Sequence, residues 1–344
     1  MVRASRGASK TKAREGDFVE TSDGLFFDVK GLLHPPDRIV GYIRYYPDNR
    51  GTRVLAERRF SKVYELAKRR RLLKNKWPQY LYYDEVQGRE LQGIPIPNVL
   101  HLHKPEHRLM TLSRSRRKDT LEMNAVRLVE VIARESKLPP TSFGISGSLL
   151  VGLHRQDSDI DVIAYGMATA RRVQAAAFDL LEEDEYLHRY GASDLRRLYT
   201  RKALRNAIGF KDFATQERRK VFQGCFLRHE YFIRCVRDWR EITERYGHVH
   251  YRPMGQCTIS AQILDDTESL MTPCRYLLKA VRVLAGVQSR RPQEIVSFRG
   301  RFAEQARVGE GVVARGRLEE ARSAAAHYYR LVIGEGRTDI LRTA

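Results

Sequence analysis

The strongest constraint in this sequence is a pair of carboxylates inside an apolar run, Asp159-Ile160-Asp161-Val162. Side chains of a β-strand alternate between faces, so Asp159 and Asp161 would point to one side and their apolar neighbours to the other. Burial of the apolar face would then bring both acids into one cleft. Two carboxylates held together repel each other, and a divalent cation relieves that repulsion. The pair therefore predicts a metal-dependent site on a sheet rather than a solvated surface strand.

A Gly-Ser pair, Gly147-Ser148, precedes the two acids by about a dozen residues. A Gly-Ser turn that opens a helix presents backbone N–H groups, a small hydroxyl and the positive helix end to a phosphate. Leu149, Leu150 and Leu153 are expected to anchor this helix in the core. The two motifs together predict a phosphate-binding turn beside a metal site.

The combination of Gly147-Ser148 with Asp159-Ile160-Asp161-Val162 resembles the signature of the DNA polymerase β-type nucleotidyltransferase superfamily, which includes CCA-adding enzymes and poly(A) polymerases. The resemblance covers residues 143–165 closely and residues 119–240 more loosely. The flanking regions resemble a group of uncharacterised archaeal predicted nucleotidyltransferases. Such an enzyme transfers a nucleoside monophosphate from an NTP to an acceptor hydroxyl and releases pyrophosphate. The resemblance implies two Mg²⁺ ions, with Mn²⁺ as an alternative, and assigns Ser148 to the terminal phosphates.

Members of this superfamily take a third carboxylate from a neighbouring strand. The most natural alignment leaves Phe232 at that position, and Glu230 lies two residues earlier on the same strand face. Glu230 is therefore predicted as the third metal ligand and catalytic acid. An ion pair between Glu230 and an arginine is the competing interpretation. Asp265 or Asp266, at the end of a later strand, are the reserve candidates for the third acid.

The chain is strongly basic, with 62 Lys and Arg against 42 Asp and Glu and a net charge of +20. Such an excess favours a polyanionic partner, so we expect the acceptor to be nucleic acid, most naturally a tRNA-like RNA. An arginine-rich surface can also be a general adaptation without a partner. The alternatives are a protein or small-molecule acceptor, or a degenerate scaffold that only binds nucleic acid. The basic cluster Glu217-Arg-Arg-Lys220 could face a triphosphate or form a solvated helix end.

Four separated cysteines without a CxxC pair indicate free thiols and argue against a structural zinc site. No apolar run approaches the ~18 residues that a membrane span needs, and no signal-peptide pattern opens the chain. The sequence therefore predicts a soluble, cytoplasmic protein without a membrane partner.

The predicted fold class is α+β, in which a polymerase β-like palm of mixed sheet and helices lies between two smaller domains. The predicted units are a basic disordered tail (1–16), a small N-terminal α/β domain (17–112), a linker (113–118), the nucleotidyltransferase domain (119–246) and a mostly-β, barrel-like C-terminal domain (247–344). Hydrophobic periodicity and turn residues place the individual elements. Predicted strands are 18–20, 25–30, 39–46, 228–236, 258–264, 294–298, 311–318 and 328–333, and predicted helices are 60–74, 119–132, 169–185 and much of 193–220.

Overall fold

A computed structural model describes residues 12–183, 185–202 and 208–343 of the chain. Over these residues the protein is α+β, with three β-sheets and seven α-helices. Each sheet covers a hydrophobic cluster of its own. Within the described ranges, no helix combines the length and apolar character that crossing a bilayer would require. The separate clusters define an N-terminal, a central and a C-terminal unit.

The N-terminal unit is an antiparallel sheet of eight strands with one helix. Its strand order is β4-β5-β3-β2-β1-β8, and β7 pairs with both β3 and β6. The predicted hairpin and the predicted third strand are confirmed as β1, β2 and β3. The elements are β1 (Phe18–Thr21), β2 (Phe26–Val29), β3 (Arg38–Pro47), β4 (Arg53–Leu55), β5 (Arg58–Lys62), α1 (Leu66–Lys76), β6 (Leu81–Asp84), β7 (Arg89–Pro95) and β8 (Val99–His103).

The first helix differs from its prediction, because Phe60 lies in strand β5 and helix α1 begins only at Leu66. Phe60 is buried and pairs with β3, so strand pairing overrides the local helical pattern. The buried residues of α1 are Arg69 and Leu73, and Leu66 is only partly buried. Leu73 belongs to the N-terminal hydrophobic cluster, and Leu72 packs against it.

Residues 12–16, part of the predicted disordered tail, are ordered in the structure. Residues 1–11 lie outside the described residues, whereas Ala13, Arg14 and Glu15 are buried. The Arg14 guanidinium stacks on the ring of Tyr165 at 3.8 Å, and Glu15 forms a 2.7 Å ion pair with Arg234. Residues 12–16 are thus a structural part of the contact between the N-terminal and central units.

The central unit carries a mixed five-stranded sheet in the order β11-β12-β13-β10-β9, in which β10 and β13 are parallel. The predicted capping box of its first long helix is confirmed, since the Asp119 and Glu122 side chains bond reciprocally to backbone N–H groups. The elements are α2 (Pro105–Arg114), α3 (Thr120–Glu135), β9 (Phe143–Ile145), α4 (Gly147–Leu150), β10 (Ile160–Tyr165), α5 (Met167–Glu183), β11 (Leu187–His188), α6 (Ala192–Arg201), α7 (Phe210–Arg218), β12 (Gln223–Phe226) and β13 (His229–Val236).

Helix α2 belongs to the central unit, so the boundary between the first two units differs from the prediction. Its buried residues Leu109 and Leu112 belong to the central hydrophobic cluster. The central unit therefore begins at Pro105, rather than after the charged segment 113–118. Residues 203–207 of the predicted helical segment 193–220 lie outside the described residues, and α6 and α7 flank them.

The C-terminal unit is a closed five-stranded barrel with one additional strand. The long strand β14 pairs with both β15 and β17, and the path β15-β16-β18-β17 completes the ring. The sequence predicts four strands of the ring but not β15, because the apolar residues of β15 do not alternate. Its pairing with β14 also shifts register repeatedly. The elements are β14 (His250–Asp265), β15 (Cys274–Gly286), β16 (Glu294–Ser297), β17 (Gly311–Arg322), β18 (His327–Val332) and β19 (Ile340–Thr343).

Candidate active site

The acidic pair lies at the beginning of strand β10. Asp161 is the second residue of the strand, and Asp159 lies just before it. Ile160 and Val162 are fully buried in the central cluster, so the acid side of the strand faces away from that core. Asp159 is exposed and Asp161 is partly buried. The alternation predicted from the sequence is confirmed, although only one of the two acids is within the strand.

The Gly-Ser motif lies directly against this strand. Gly147 has a φ of +64°, and a Cβ atom on it would lie 2.0 Å from Oδ2 of Asp161. The Ser146 N–H donates to the Asp161 carbonyl at 2.8 Å. Glycine is needed at position 147 for two reasons. Its backbone is in the left-handed region, and the Asp161 carboxylate leaves no room for a side chain. The two motifs that the sequence separates by a dozen residues are in contact.

The helix expected after Gly147 is a single turn, α4, which is shorter than the prediction. Its anchoring residues are buried as expected: Leu149, Leu150 and Leu153. The Ser148 side chain is also buried, and its Oγ has no hydrogen-bond partner among the described residues. A buried hydroxyl without a partner is costly, so this atom is available to a ligand that reaches it.

The two carboxylates influence each other electrostatically. Burial and, second, the charge of Asp159 raise the pKa of Asp161 from 3.8 to about 6. Arg234, Lys62 and Arg44 oppose this shift without cancelling it. The guanidinium of Arg234 pairs instead with Glu15 at 2.7 Å and with Asp28 at 3.9 Å. The pair therefore keeps a local excess of negative charge that a cation would stabilise.

A cleft of about 1230 Å³ opens over Asp159, between strands of the N-terminal unit and the central unit. Six basic and three acidic side chains line it, an excess of three positive charges. Such a lining favours a polyanionic ligand. These residues are Arg53, Lys62, Arg155, Arg197, Arg201 and Arg228, with Asp157, Asp159 and Glu230.

Glu230 lies beside the acidic pair. Strands β10 and β13 pair in parallel with Ile160 opposite Tyr231, which places Glu230 level with Asp159 on the adjacent strand. Its carboxylate is held by arginines of α6, at 2.5 Å from Arg201 and 3.4 Å from Arg197. The structure thus brings Glu230 to the site and also shows the arginine pairing that the sequence left open.

Phe232, the residue at the usual position of the third acid, lies opposite Asp161 in the parallel pair. Its ring packs against Gly300 of the C-terminal unit, where a Cβ atom would lie 2.4 Å from Cζ of Phe232. This position is therefore closed by an interdomain contact. A carboxylate there would lose its solvation against the C-terminal unit.

The reserve candidates for the third acid do not line the cleft. Asp265 accepts a 2.7 Å hydrogen bond from the Thr267 N–H, and Asp266 accepts one of 3.1 Å from the Val308 N–H. Both acids stabilise turns of the C-terminal barrel, so their assignment as alternative metal ligands is wrong. The structure leaves Glu230 as the candidate.

The cluster at residues 217–220 is also outside the cleft. Glu217 and Lys220 are buried and form an ion pair of 2.7 Å, and Lys202 binds the same carboxylate at 3.1 Å. These charges lower the pKa of Glu217 to about 2, against the opposing effect of burial. Glu217 and Lys220 thus form an internal ion-pair cluster. The two predicted roles, a triphosphate contact and a solvated helix end, are wrong for these residues.

The donor set fits a metal ion that binds together with a nucleotide. No group of three or more His, Cys, Asp or Glu side chains in metal-holding positions is found over the described ranges. Mg²⁺ commonly binds through one or two protein carboxylates and completes its shell with water and substrate phosphates. Asp159 and Asp161 meet that requirement.

Two groups of cleft residues were missed by sequence reasoning. Arg197 and Arg201 are four residues apart on helix α6, and this shared face is a signal that could have identified them. Lys62 and Arg53 come from strands of the N-terminal unit. No local pattern connects them to the acidic pair, because the connection is made only by domain packing.

The chain is similar in sequence to an archaeal protein. It is 28% identical over 336 residues to an uncharacterized protein of Methanocaldococcus jannaschii, and the alignment covers 95% of this chain and 96% of that protein. No family model matches the chain. No solved structure matches it either. The extent of the alignment indicates that the relative contains counterparts of all three units.

Proposed function

We propose that this protein is a metal-dependent nucleotidyltransferase that moves a nucleoside monophosphate from an NTP to an acceptor hydroxyl. The observation that carries the proposal is the Asp161 carboxylate, which packs on Gly147 and lies near Asp159, a residue that lines a basic cleft. A purely structural pair of acids would be expected to have its charge neutralised by direct ion pairs. Here the repulsion is retained, which fits a cation-binding role.

Each group of residues in the site has its own role in this reaction. The cleft cations bind the triphosphate, and the unpartnered Ser148 hydroxyl is available to a phosphate oxygen. Asp159 and Asp161 would hold Mg²⁺, which when bound would make the acceptor hydroxyl more acidic and neutralise charge on the departing pyrophosphate. The acceptor hydroxyl loses its proton to solvent, and its oxygen forms a bond to the α-phosphorus as the bond from that phosphorus to pyrophosphate breaks.

The proposed acceptor is RNA. The net charge of +20 and the positive lining of the cleft support a polyanionic acceptor. The C-terminal barrel supports it more weakly, because five-stranded barrels bind oligonucleotides in other proteins. A second candidate, a scaffold that binds nucleic acid without catalysis, is favoured by the arginine pairing of Glu230.

The test is transfer of label from each α-labelled NTP in the presence of Mg²⁺, with total RNA or cell lysate as acceptor. We expect RNA labelling that ribonuclease removes and that the double variant Asp159→Ala, Asp161→Ala lacks. Label that stays on protein bands after ribonuclease would show a protein acceptor. Absence of transfer from every NTP to RNA, protein and small molecules would contradict the proposal and favour the scaffold.

Glu230→Gln is expected to lower turnover by about 100-fold or more with little change in stability. Turnover should fall strongly because Glu230 binds the metal in the reacting complex. Stability should change little because exposed ion pairs are worth about 0–1 kcal/mol. Asp194→Asn is the matched control, since Asp194 also pairs with Arg197, at 3.0 Å. Steady-state kinetics measures the turnover of each variant, and thermal unfolding measures its stability. An effect of Glu230→Gln no larger than that of the control would reduce Glu230 to an ion-pair partner.

A further inference from the structure

The N-terminal sheet is packed tightly on the loop that connects α4 to β10. Tyr45 and Phe60 share one hydrophobic cluster with Leu150, at the end of α4, and Leu153 of that loop. Arg53 on β4 donates a hydrogen bond from Nη1 to the Leu153 carbonyl. The strands β3, β4 and β5 therefore have a defined position relative to the acidic pair.

Lys62, the last residue of β5, lines the same cleft as Asp159 and Glu230. It pairs across the sheet with Tyr45, and its Nζ lies 4.7 Å from the ring centroid of Tyr64 and 5.9 Å from that of Tyr45. Over the described ranges it has these aromatic neighbours and no ion-pair partner. Lys62 is thus a partly buried ammonium group that faces the site without direct neutralisation.

Arg44 adds positive charge near Lys62, and Arg69 adds positive charge near Arg44. Arg44 on β3 lies 5.1 Å from the Tyr64 ring, and Arg69 on α1 is 1% exposed with an Nη2 atom that has no partner among the described residues. Burial and the charge of Arg44 lower the pKa of Arg69 to about 9, although the carboxylate of Asp28 opposes this shift. Positive groups held together at low exposure are unfavourable, and a bound anion would relieve the cost.

From this arrangement we propose that Lys62, supported by Arg44, binds the terminal phosphates of the triphosphate, so that the nucleotide site is shared between the N-terminal and central units. The identity of the ligand as an NTP rests on the proposed function, but the anion binding does not. Lys62 is then a substrate-binding residue from another domain, and its ammonium group donates to phosphate oxygens next to Asp159.

The experiment measures binding of Mg²⁺-tripolyphosphate, a probe without a base, to the full chain by titration calorimetry. Lys62→Met is expected to weaken binding by about tenfold or more, the effect of losing one hydrogen bond from a charged donor. Lys62→Arg should remain within about threefold of the wild type, because it keeps the charge. Lys68→Met is the matched control, since Lys68 lies on α1 with its side chain 68% exposed and paired with Glu65.

Three outcomes would overturn the inference: Lys62→Met binding as tightly as the wild type, the control weakening binding equally, or no binding by the wild type. Thermal unfolding of each variant separates a lost contact from a lost fold. If binding depends on Lys62 while no NTP supports transfer to any acceptor, the proposed function is wrong and the anion site remains.

Discussion

Asp161→Asn is expected to make the protein more stable near pH 7 while it abolishes Mg²⁺-dependent transfer. The pKa of Asp161 is raised from 3.8 to about 6, by burial and by Asp159, so the folded state carries this charge at a cost. One pKa unit corresponds to about 1.4 kcal/mol. Because Asp161 is only partly buried, we expect a gain of about 1–3 kcal/mol in the free energy of unfolding.

The difference in stability between the wild type and the Asp161→Asn variant should depend on pH. Well below pH 3.8 the carboxyl group is protonated in both folded and unfolded chains, so the wild type and the Asp161→Asn variant should differ little in stability. Between the unfolded pKa of 3.8 and the folded value of about 6, the wild type progressively loses stability relative to Asp161→Asn. Above about pH 6 the difference should be constant.

Denaturant unfolding at about pH 4 and about pH 7.5 measures this difference. Asp179→Asn is the control, because Asp179 is exposed on α5 and should change stability by less than about 0.5 kcal/mol at either pH. If Asp161→Asn proved less stable than the wild type at the higher pH, a partner in the fold would already stabilise the ionised acid. That result would weaken the metal-site assignment.

The same substitution should lower transfer by about 1000-fold or more, since a metal ligand acts on the charge that develops during reaction. Wild-type activity should also fall as the pH decreases through about 6, because protonated Asp161 cannot bind the cation. Raising the Mg²⁺ concentration should partly restore activity below that pH. Activity that stays constant from about pH 5 to about pH 8 would contradict the assignment.

Gly147→Ala is expected to destabilise the protein by about 2–4 kcal/mol and to remove activity. The added methyl group would lie 2.0 Å from Oδ2 of Asp161, so the carboxylate or the turn must move. The φ of +64° adds about 1 kcal/mol of backbone strain for any residue with a Cβ atom. Denaturant unfolding and the transfer assay measure both effects.

A matched control separates strain from collision. Gly309 has a φ of +85° and no atom within 4 Å of the position that a Cβ would occupy, so Gly309→Ala should show the backbone cost alone. In an Asp161→Ala background the collision with Oδ2 is absent and only the 3.1 Å contact with Cβ of residue 161 remains, so Gly147→Ala should cost much less than it does in the wild type. Equal costs of Gly147→Ala in both backgrounds would mean that the carboxylate and the turn are not in contact.

Local patterns are sufficient for the part of the site that depends on one strand and one turn. Strand alternation places Asp161 on the face opposite Ile160 and Val162, and it needs no distant information. The capping box at Asp119 and Glu122 follows from an equally local pattern. Where the local pattern is ambiguous, as at Phe60, pairing with a distant strand decides the outcome.

The surroundings of the acids could not be predicted in this way. Lys62 reaches the cleft because the N-terminal sheet packs on Leu150 and Leu153, far along the chain from β5. Phe232 is closed off by Gly300, which belongs to the C-terminal unit. Such contacts join elements far apart in sequence, and hydrophobic periodicity within a window carries no information about them.

The sequence by itself determined that two acids share a strand face and that a glycine-serine turn precedes them, since both follow from short-range backbone geometry. Only the tertiary structure decided that Asp161 rests on Gly147, that Glu230 is level with Asp159 but bound by Arg201, and that Lys62 faces them. The physical reason is that charge and burial act through space. A carboxylate acquires its raised pKa from neighbours that the fold, rather than the chain order, brings together.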